Sequence, residues 1–182
     1  MADDLRLTVS RSGHPLYKKL TGKRGDRDVT VEPFGVFTGD SENPSTDDYA
    51  SVEVRFAQPL GFALEITKHE MLYQRVANFF ASSDDKIGHE PFDKVFKIEC
   101  SHMPSLLELL NVEMLDGETP TLLTDLMTAR KKYHRVKVTD NSVCLGVRAD
   151  IGDSSPIEPA ITKAIYLAER FETATRKLAG KL

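Results

Sequence analysis

The sequence predicts an α+β domain: a mostly antiparallel sheet with amphipathic helices packed on one face and a polar face opposite. Two observations support this fold class. Short segments in which apolar and polar residues alternate recur along the chain, and segments with apolar stripes at helical spacing lie between and after them. In the alternating segments one side is apolar and the other is charged, as in an antiparallel sheet with one solvated face.

Length and composition predict one domain over residues 1–182. The chain is 40% apolar, which supplies a core with no need of disulfides or a bound metal. Cys100 and Cys144 are too few for a disulfide scaffold, and the N-terminus has no cationic segment followed by an apolar one. No apolar run approaches the roughly 20 residues that cross a bilayer. We therefore expect a soluble cytoplasmic protein with no membrane segment in this chain.

The charge balance argues against polyanionic partners. The sequence holds 24 Lys and Arg residues against 28 Asp and Glu, a formal net charge of −4. Such a chain has no general attraction to phosphate backbones, so we expect no nucleic-acid partner. The basic segment 18–27 lacks the P-loop pattern and is interpreted as solvated surface. The segment at about 38–49 is acidic and rich in Gly, Pro, Ser and Thr, which predicts an exposed loop.

Alternation predicts strands in the first half of the chain and one in the middle. The predicted segments are 5–9, 28–37, 51–56, 62–66 and 96–100. In the last of these, Phe96, Ile98 and Cys100 share one side of the strand. Lys97 and Glu99 share the other side. Because predicted strands and helices both precede and follow this strand, we expect it at the centre of the sheet.

Helices and a hairpin complete the predicted fold. The predicted helices span 67–80, 104–115, 120–132 and 159–178, and the hairpin spans 136–147 with a tight turn at 140–141. A capping box that begins at Thr67 marks the start of the first helix, and prolines mark the others. Glu158 precedes a proline and is therefore biased away from helical angles. The final helix is accordingly predicted to start at Pro159 rather than Pro156.

The polar side of the predicted sheet carries charges of both signs. Its candidate binding residues are Arg55, Lys97, Glu99, Arg135, Lys137 and Arg148, with Glu53 and Glu65 beside them. A surface of mixed sign suits a protein partner better than a polyanion. Neither cysteine and no serine lies in a nucleophile motif, so no catalytic residue and no cofactor is assigned. The favoured interpretation is a non-catalytic protein-interaction or regulatory module, with the oligomeric state left open.

The basic stretch from Arg130 to Lys137, which contains Tyr133, is the strongest nucleic-acid candidate in the sequence. It lacks aromatic residues interleaved on a sheet face, as RNA-binding sheets have them. Cations in the last turn of a helix complement the helix dipole, which accounts for residues 130–132 without a ligand. His134 is expected to point inward with Val136.

The alternative hypothesis is a small-molecule binding protein or a metal-assisted hydrolase with its site near the 84–93 loop. Imidazole, thiolate and carboxylate groups are zinc-ligand types, and His89, Asp93, Cys100 and His102 supply them in and after this loop. Loops held by rigid strands often carry sites. Against a metal, the spacing of these residues matches no zinc motif.

The stretch from Gly61 to Lys181 resembles a family of uncharacterised bacterial α+β domains. Its members show a G-x-x-x-FD-x-x-F-x-I core followed by a hairpin and a closing helix. The residues that carry the resemblance here are Gly88, Phe92, Asp93, Phe96 and Ile98. Many members are attached to membrane helices, a feature with no counterpart in this sequence. The resemblance covers about two-thirds of the chain and implies the fold, but no activity.

Overall fold

The computed structural model describes residues 6–11, 18–37, 46–68, 86–115, 121–149 and 153–180. The strands in these segments are β1 (Thr8–Arg11), β2 (Lys18–Arg24), β3 (Arg27–Phe37), β4 (Thr46–Arg55), β5 (Leu64–Lys68), β6 (Phe96–Cys100), β7 (Arg135–Val138) and β8 (Ser142–Arg148). They form one antiparallel sheet of eight strands in the order β1-β2-β3-β4-β8-β7-β5-β6.

The described part of the chain also contains four helices. These are α1 (Glu90–Asp93), α2 (Met103–Leu115), α3 (Leu122–Lys132) and α4 (Ile157–Ala179). α4 packs on the central strands β4 and β8, α3 packs on β5 and β7, and α2 contacts both α3 and α4. The three longer helices therefore form one layer against the sheet. None of the described helices has the length and apolarity needed to cross a bilayer.

The core lies between this helical layer and one face of the sheet. Adjacent strands place apolar side chains opposite each other there, with Val29 opposite Val54 and Val52 opposite Leu145. All four are almost completely buried. The apolar face of α4 covers them with Ile157, Ala160, Ile161, Ala164, Leu167, Ala168, Phe171 and Ala174. The predicted fold class, with helices on one face and polar side chains on the other, is confirmed.

The position of the strand Phe96–Cys100 in the sheet differs from the prediction. Its alternation is confirmed, since Phe96 and Ile98 are buried and Glu99 is exposed. The strand lies at the edge of the sheet, however, because β6 pairs only with β5 in the described structure. The β7–β8 hairpin pairs with both β5 and β4 and occupies the central place. Alternation fixes which face a side chain joins but carries no information on the order of the strands.

The basic N-terminal segment forms a strand that the sequence did not predict. In β2, Leu20 lies opposite Val31 and is buried, so this segment is more than solvated surface. Part of the acidic segment that was predicted to be an exposed loop belongs to a strand, because β4 begins at Thr46. Asp47 and Asp48 are half-buried within that strand, and residues 38–45 lie outside the described ones.

Three predicted helix starts are wrong. Thr67 belongs to β5 and lies opposite Lys97, so it does not begin a capping box. Lys68 also lies in β5, and residues 69–80 of that predicted helix lie outside the described ones. The helix predicted from residue 120 is α3, which begins at Leu122 with Thr121 as its N-cap. α4 begins at Ile157, two residues before Pro159. Ile157 is buried and the Glu158 carboxylate accepts a hydrogen bond from Arg24, and these contacts outweigh the preference of a residue before proline for extended angles.

A carboxylate on α4 ties this helix to the sheet. The Glu172 carboxylate accepts hydrogen bonds from both Arg27 Nη atoms, at 3.0 and 2.7 Å, and from the Ala57 backbone N–H at 2.7 Å. The Arg27 hydrogen bond, opposed by partial burial, holds the pKa of Glu172 below its ordinary value. The same bond raises the pKa of Arg27. Both side chains are largely shielded from water, so the pair is stronger than an exposed ion pair.

Glu172→Gln should reduce the free energy of unfolding by about 2 kcal/mol at neutral pH, because charge-assisted hydrogen bonds are lost. A depressed pKa in the folded state stabilises the fold above the ordinary glutamate pKa, and this stabilisation is lost as pH falls through the folded value. The difference between wild type and variant, measured by urea unfolding, should therefore shrink toward acid pH. A difference independent of pH would show that the Glu172 charge does not stabilise the fold.

Phe96→Ala should lower the free energy of unfolding by about 3–5 kcal/mol, because Phe96 is 2% exposed and packs against the Phe92 ring at 5.3 Å between centroids. The matched control is Val95→Ala. Val95 is 44% exposed in the same segment, so this change should cost less than about 0.5 kcal/mol. Equal losses in denaturant titrations would contradict the packing that places Phe96 in the core.

Candidate binding site on the polar face

The polar face of the sheet carries a row of side chains that runs across five strands. Glu53 on β4 lies opposite Cys144 on β8, and Cys144 lies opposite Lys137 on β7. Lys137 lies opposite Glu65 on β5, which in turn lies opposite Glu99 on β6. Opposed residues in antiparallel strands have Cβ atoms about 5 Å apart, so neighbours in this row can contact each other. We call this row and the ion pairs beside it the charged ladder.

Ion pairs hold the charged ladder in place. The Arg135 guanidinium donates two hydrogen bonds to the Glu65 carboxylate, at 2.8 and 3.1 Å. Hydrogen bonding to Glu65 raises the pKa of Arg135 despite partial burial. Lys137 Nζ lies 3.7 Å from the same carboxylate, and Lys97 Nζ lies 3.3 Å from Glu99 Oε1. The face therefore presents charges of both signs in fixed positions.

The six predicted binding residues all lie on strands of this sheet, but they do not form one cluster. Lys97, Glu99, Arg135 and Lys137 lie in or beside the charged ladder. Arg148 lies opposite Tyr49 and pairs with Asp47 at 2.9 Å, whereas Arg55 lies opposite Ser142 at the other end of β4. Six residues along a strand separate these two ends by about 20 Å. Arg55 is therefore too distant to act together with Arg148.

A cleft at the border of the polar face lies where β3, β4, β5, β7 and β8 meet the end of α3. Three rings from distant parts of the sequence form one wall of it. The Phe34 and Tyr49 rings stack with their centroids 5.6 Å apart, and the Tyr49 and His134 rings lie 4.5 Å apart. Gly146 is packed against two of the lining residues, since an added Cβ there would lie 3.5 Å from the Phe34 ring and 2.9 Å from Arg135 Cβ. We call this space the aromatic-basic cleft.

Cations from the end of α3 also line the cleft, and we call them its cationic wall. Arg130 is buried and donates hydrogen bonds to the backbone oxygens of Ile66 and Tyr133, at 2.8 and 3.0 Å. Burial lowers the pKa of Arg130. Lys131 and Lys132 are exposed beyond it, with Lys132 Nζ 5.6 Å from the Tyr133 ring centroid. The cleft has a volume of about 700 Å³, and its lining includes Glu65, Lys131, Lys132, His134, Arg135 and Arg148.

The inward orientation predicted for His134 is wrong. β7 begins at Arg135, so His134 precedes the strand and does not follow its alternation. Its side chain is exposed and contacts Tyr49 on the polar face. Phe34 and Tyr49 also line the cleft but are not among the binding residues predicted from the sequence. The usable signal was alternation in residues 46–56, which places Tyr49 on the same side as Glu53 rather than in the core.

The candidate metal ligands have separate local roles. His89 Nδ1 accepts a hydrogen bond from Phe92 N at 3.3 Å and caps α1. The Asp93 carboxylate accepts from Gly88 N at 3.0 Å, and His102 Nδ1 lies 2.8 Å from the Ser105 hydroxyl at the start of α2. Cys100 is half-buried at the end of β6. Among the described residues, no three His, Cys, Asp or Glu side chains lie close enough together to hold a metal ion.

A buried carboxylate between α3 and α4 serves the packing of these helices. Asp125 accepts hydrogen bonds from Lys163 Nζ at 2.9 Å and from the Tyr166 hydroxyl at 2.8 Å. Arg170 Nε lies 3.5 Å from the same carboxylate. Its oxygens are thus engaged by partners on α4. Asp125 therefore stabilises the contact between α3 and α4. Its carboxylate oxygens are already engaged and are not available for acid–base chemistry.

Comparisons with known proteins add a likeness in fold. No protein-family model and no curated protein matches the chain. Among solved structures, the chain is similar to the mycobacterial trehalose monomycolate transport factor A, TtfA, with a TM-score of 0.53. The alignment covers 97% of this chain and 90% of that one, at 8% sequence identity. At this identity the likeness concerns the fold alone.

Cys144 should react slowly with iodoacetamide at neutral pH in the folded protein. Burial raises the pKa of the Cys144 thiol, partly offset by its contact with the Ser51 hydroxyl at 2.9 Å, and the thiolate is the reactive form. Labelling followed by peptide mass spectrometry measures the rate, with the urea-unfolded protein as the control. A rate equal to that of the unfolded chain would show an accessible, ionised thiol and would return Cys144 to consideration as a nucleophile.

Proposed function

We propose that this chain is a non-catalytic binding module that recognises a protein partner through the charged ladder. The observation that carries this function is the fixed array of both charge signs across β7, β5 and β6. Such an array can be complementary to a partner surface with the opposite pattern, whereas a polyanion would meet Glu65 and Glu99 as repulsive groups. The cytoplasm is the proposed location, since Cys100 and Cys144 are both free thiols.

The ladder has two further properties that suit recognition. Ion pairs at the surface contribute only about 0–1 kcal/mol each to folding, so a partner can replace them at little cost to the fold. They also restrict long side chains before binding, which lowers the entropy lost when a complex forms. Arg135 and Glu99 have 45% and 66% of their side-chain surface exposed and are open to such contacts.

The fold comparison is compatible with an accessory role. The similar solved structure is named a transport factor. The likeness concerns the fold alone, so nothing about the partner is taken from it.

Reversing two charges of the ladder should abolish capture of the partner. Lys97→Glu with Lys137→Glu changes the ladder but leaves the aromatic-basic cleft and the core in place. We expect partners retained by the tagged wild-type protein in a pull-down from its native cells to be lost, or to bind at least about tenfold more weakly once purified. The weakening should appear mainly in the association rate and should diminish as salt is raised.

The matched control reverses two exposed lysines elsewhere, Lys86→Glu with Lys94→Glu, which gives the same change in net charge. This variant should retain the partner. Far-UV circular dichroism and thermal melts confirm that both variants fold. Retention of every partner by the ladder variant, or equal loss in the control, would exclude the ladder as the recognition surface.

A further inference from the structure

We propose that the aromatic-basic cleft binds a small organic anion in which a flat apolar ring lies next to the charged group. This site shares Glu65 and Arg135 with the charged ladder, but its three rings and Lys131 lie outside the ladder. Its volume of about 700 Å³ is within the range of about 300–1,000 Å³ that holds small ligands. Its two walls differ in chemistry, one aromatic and one cationic. This difference defines the two parts of the ligand.

The cationic wall carries one positive charge that no described residue neutralises. Arg130 is occupied by two backbone oxygens, and Arg148 is paired with Asp47. Lys131 is different, because its ammonium group makes no ion pair or hydrogen bond with the described residues. Cations in the last turn of α3 do offset the helix dipole. The helix dipole explains why cations lie at the end of α3. It does not explain why three aromatic rings line the same cleft as these cations.

The aromatic wall offers flat faces to the same space. Phe34 and Tyr49 are half-buried residues of the polar face, outside the core on the opposite side of the sheet. His134 extends this wall toward the cationic end of the cleft, since its ring contacts Tyr49 at 4.5 Å. Planar groups stack on such rings with useful affinity. A ligand with its ring against Tyr49 would share the cleft with Lys131 and the other cations, which can bind its anionic group.

Gly146 is a buried residue that leaves room for two of the side chains that line this cleft, Phe34 and Arg135. It lies opposite Arg135 in the β7–β8 pair and opposite Ser51 in the β4–β8 pair. A side chain there would collide with Arg135 and approach the Phe34 ring. The absence of a Cβ thus lets an aromatic and a cationic side chain lie close together above one backbone position.

The test uses phenyl phosphate as the probe, titrated into the purified full chain and followed by calorimetry and by NMR. Inorganic phosphate and phenol, each carrying half of the proposed recognition chemistry, are titrated in parallel. We expect phenyl phosphate to bind about tenfold or more tightly than either. Chemical shifts of the Phe34, Tyr49 and His134 rings should move during the titration.

Two variants separate the walls of the cleft. Lys131→Gln should weaken both phenyl phosphate and inorganic phosphate, by about fivefold, because one anion contact is lost. Tyr49→Leu should weaken phenyl phosphate but leave inorganic phosphate unchanged. Phe34→Leu repeats that test if the Tyr49 variant fails to fold. Lys86→Gln removes an exposed lysine outside the cleft, so it should bind all probes as the wild type does.

Several outcomes would overturn this assignment. They are no saturable binding of phenyl phosphate at millimolar concentration, equal weakening by Lys86→Gln, and no effect of either ring variant. Tighter binding of a single-stranded oligonucleotide with a steep salt dependence would assign the cleft to nucleic acid instead. The double reversal at Lys97 and Lys137 should leave phenyl phosphate binding intact, and Lys131→Gln should leave partner capture intact. The two functions can therefore fail separately.

Discussion

The burial of α4 against β4 and β8 is the contact on which the rest of the structure depends. Four fully buried alanines on this helix, including Ala164 and Ala168, let its backbone approach the sheet closely, while Phe171 fills the space beyond them. Because α4 also contacts α2 and α3, it holds the other helices over the sheet. The polar pairs at its margins, such as Arg27 with Glu172, then fix its direction across the strands. Loss of this contact would expose the core face of the central strands.

The periodic features of the sequence predicted most of the elements because they are local. Alternation identified the faces of β4, β6 and β8, and it correctly placed Lys137 and Glu99 on the polar side. What alternation could not give is the order of strands, since pairing depends on contacts between residues far apart in the chain. For this reason the prediction that β6 lies at the centre of the sheet was wrong, and the strand lies at the edge. Local preference also failed at Glu158, where burial of Ile157 and the contact with Arg24 set the helix start.

The aromatic-basic cleft was out of reach of the sequence for a related reason. Its rings come from β3, from β4 and from His134 just before β7, and Phe34 and His134 are about 100 residues apart in the chain. Its cations come from the end of α3 and from β7 and β8. The basic stretch 130–137 is visible in the sequence. Nothing in the sequence indicates that the Phe34 and Tyr49 rings lie beside it in the fold. The predicted metal ligands have in common only that they are zinc-ligand residue types and lie close together in the sequence. In the fold, His89 and His102 instead cap separate helices, since the Nδ1 atom of each accepts a backbone N–H from the first turn that follows.

Gly146 has a consequence for how this protein can change over evolutionary time. The atoms that a new Cβ would meet include the backbone nitrogen of Arg135 at 3.3 Å, and backbone cannot rotate aside as a long side chain can. Any larger residue at 146 would shift the β7–β8 pair and disturb the Arg135 contact with Glu65. Substitutions at positions 65, 135 and 146 should therefore be mutually dependent, each tolerated only in a sequence background that already accommodates it.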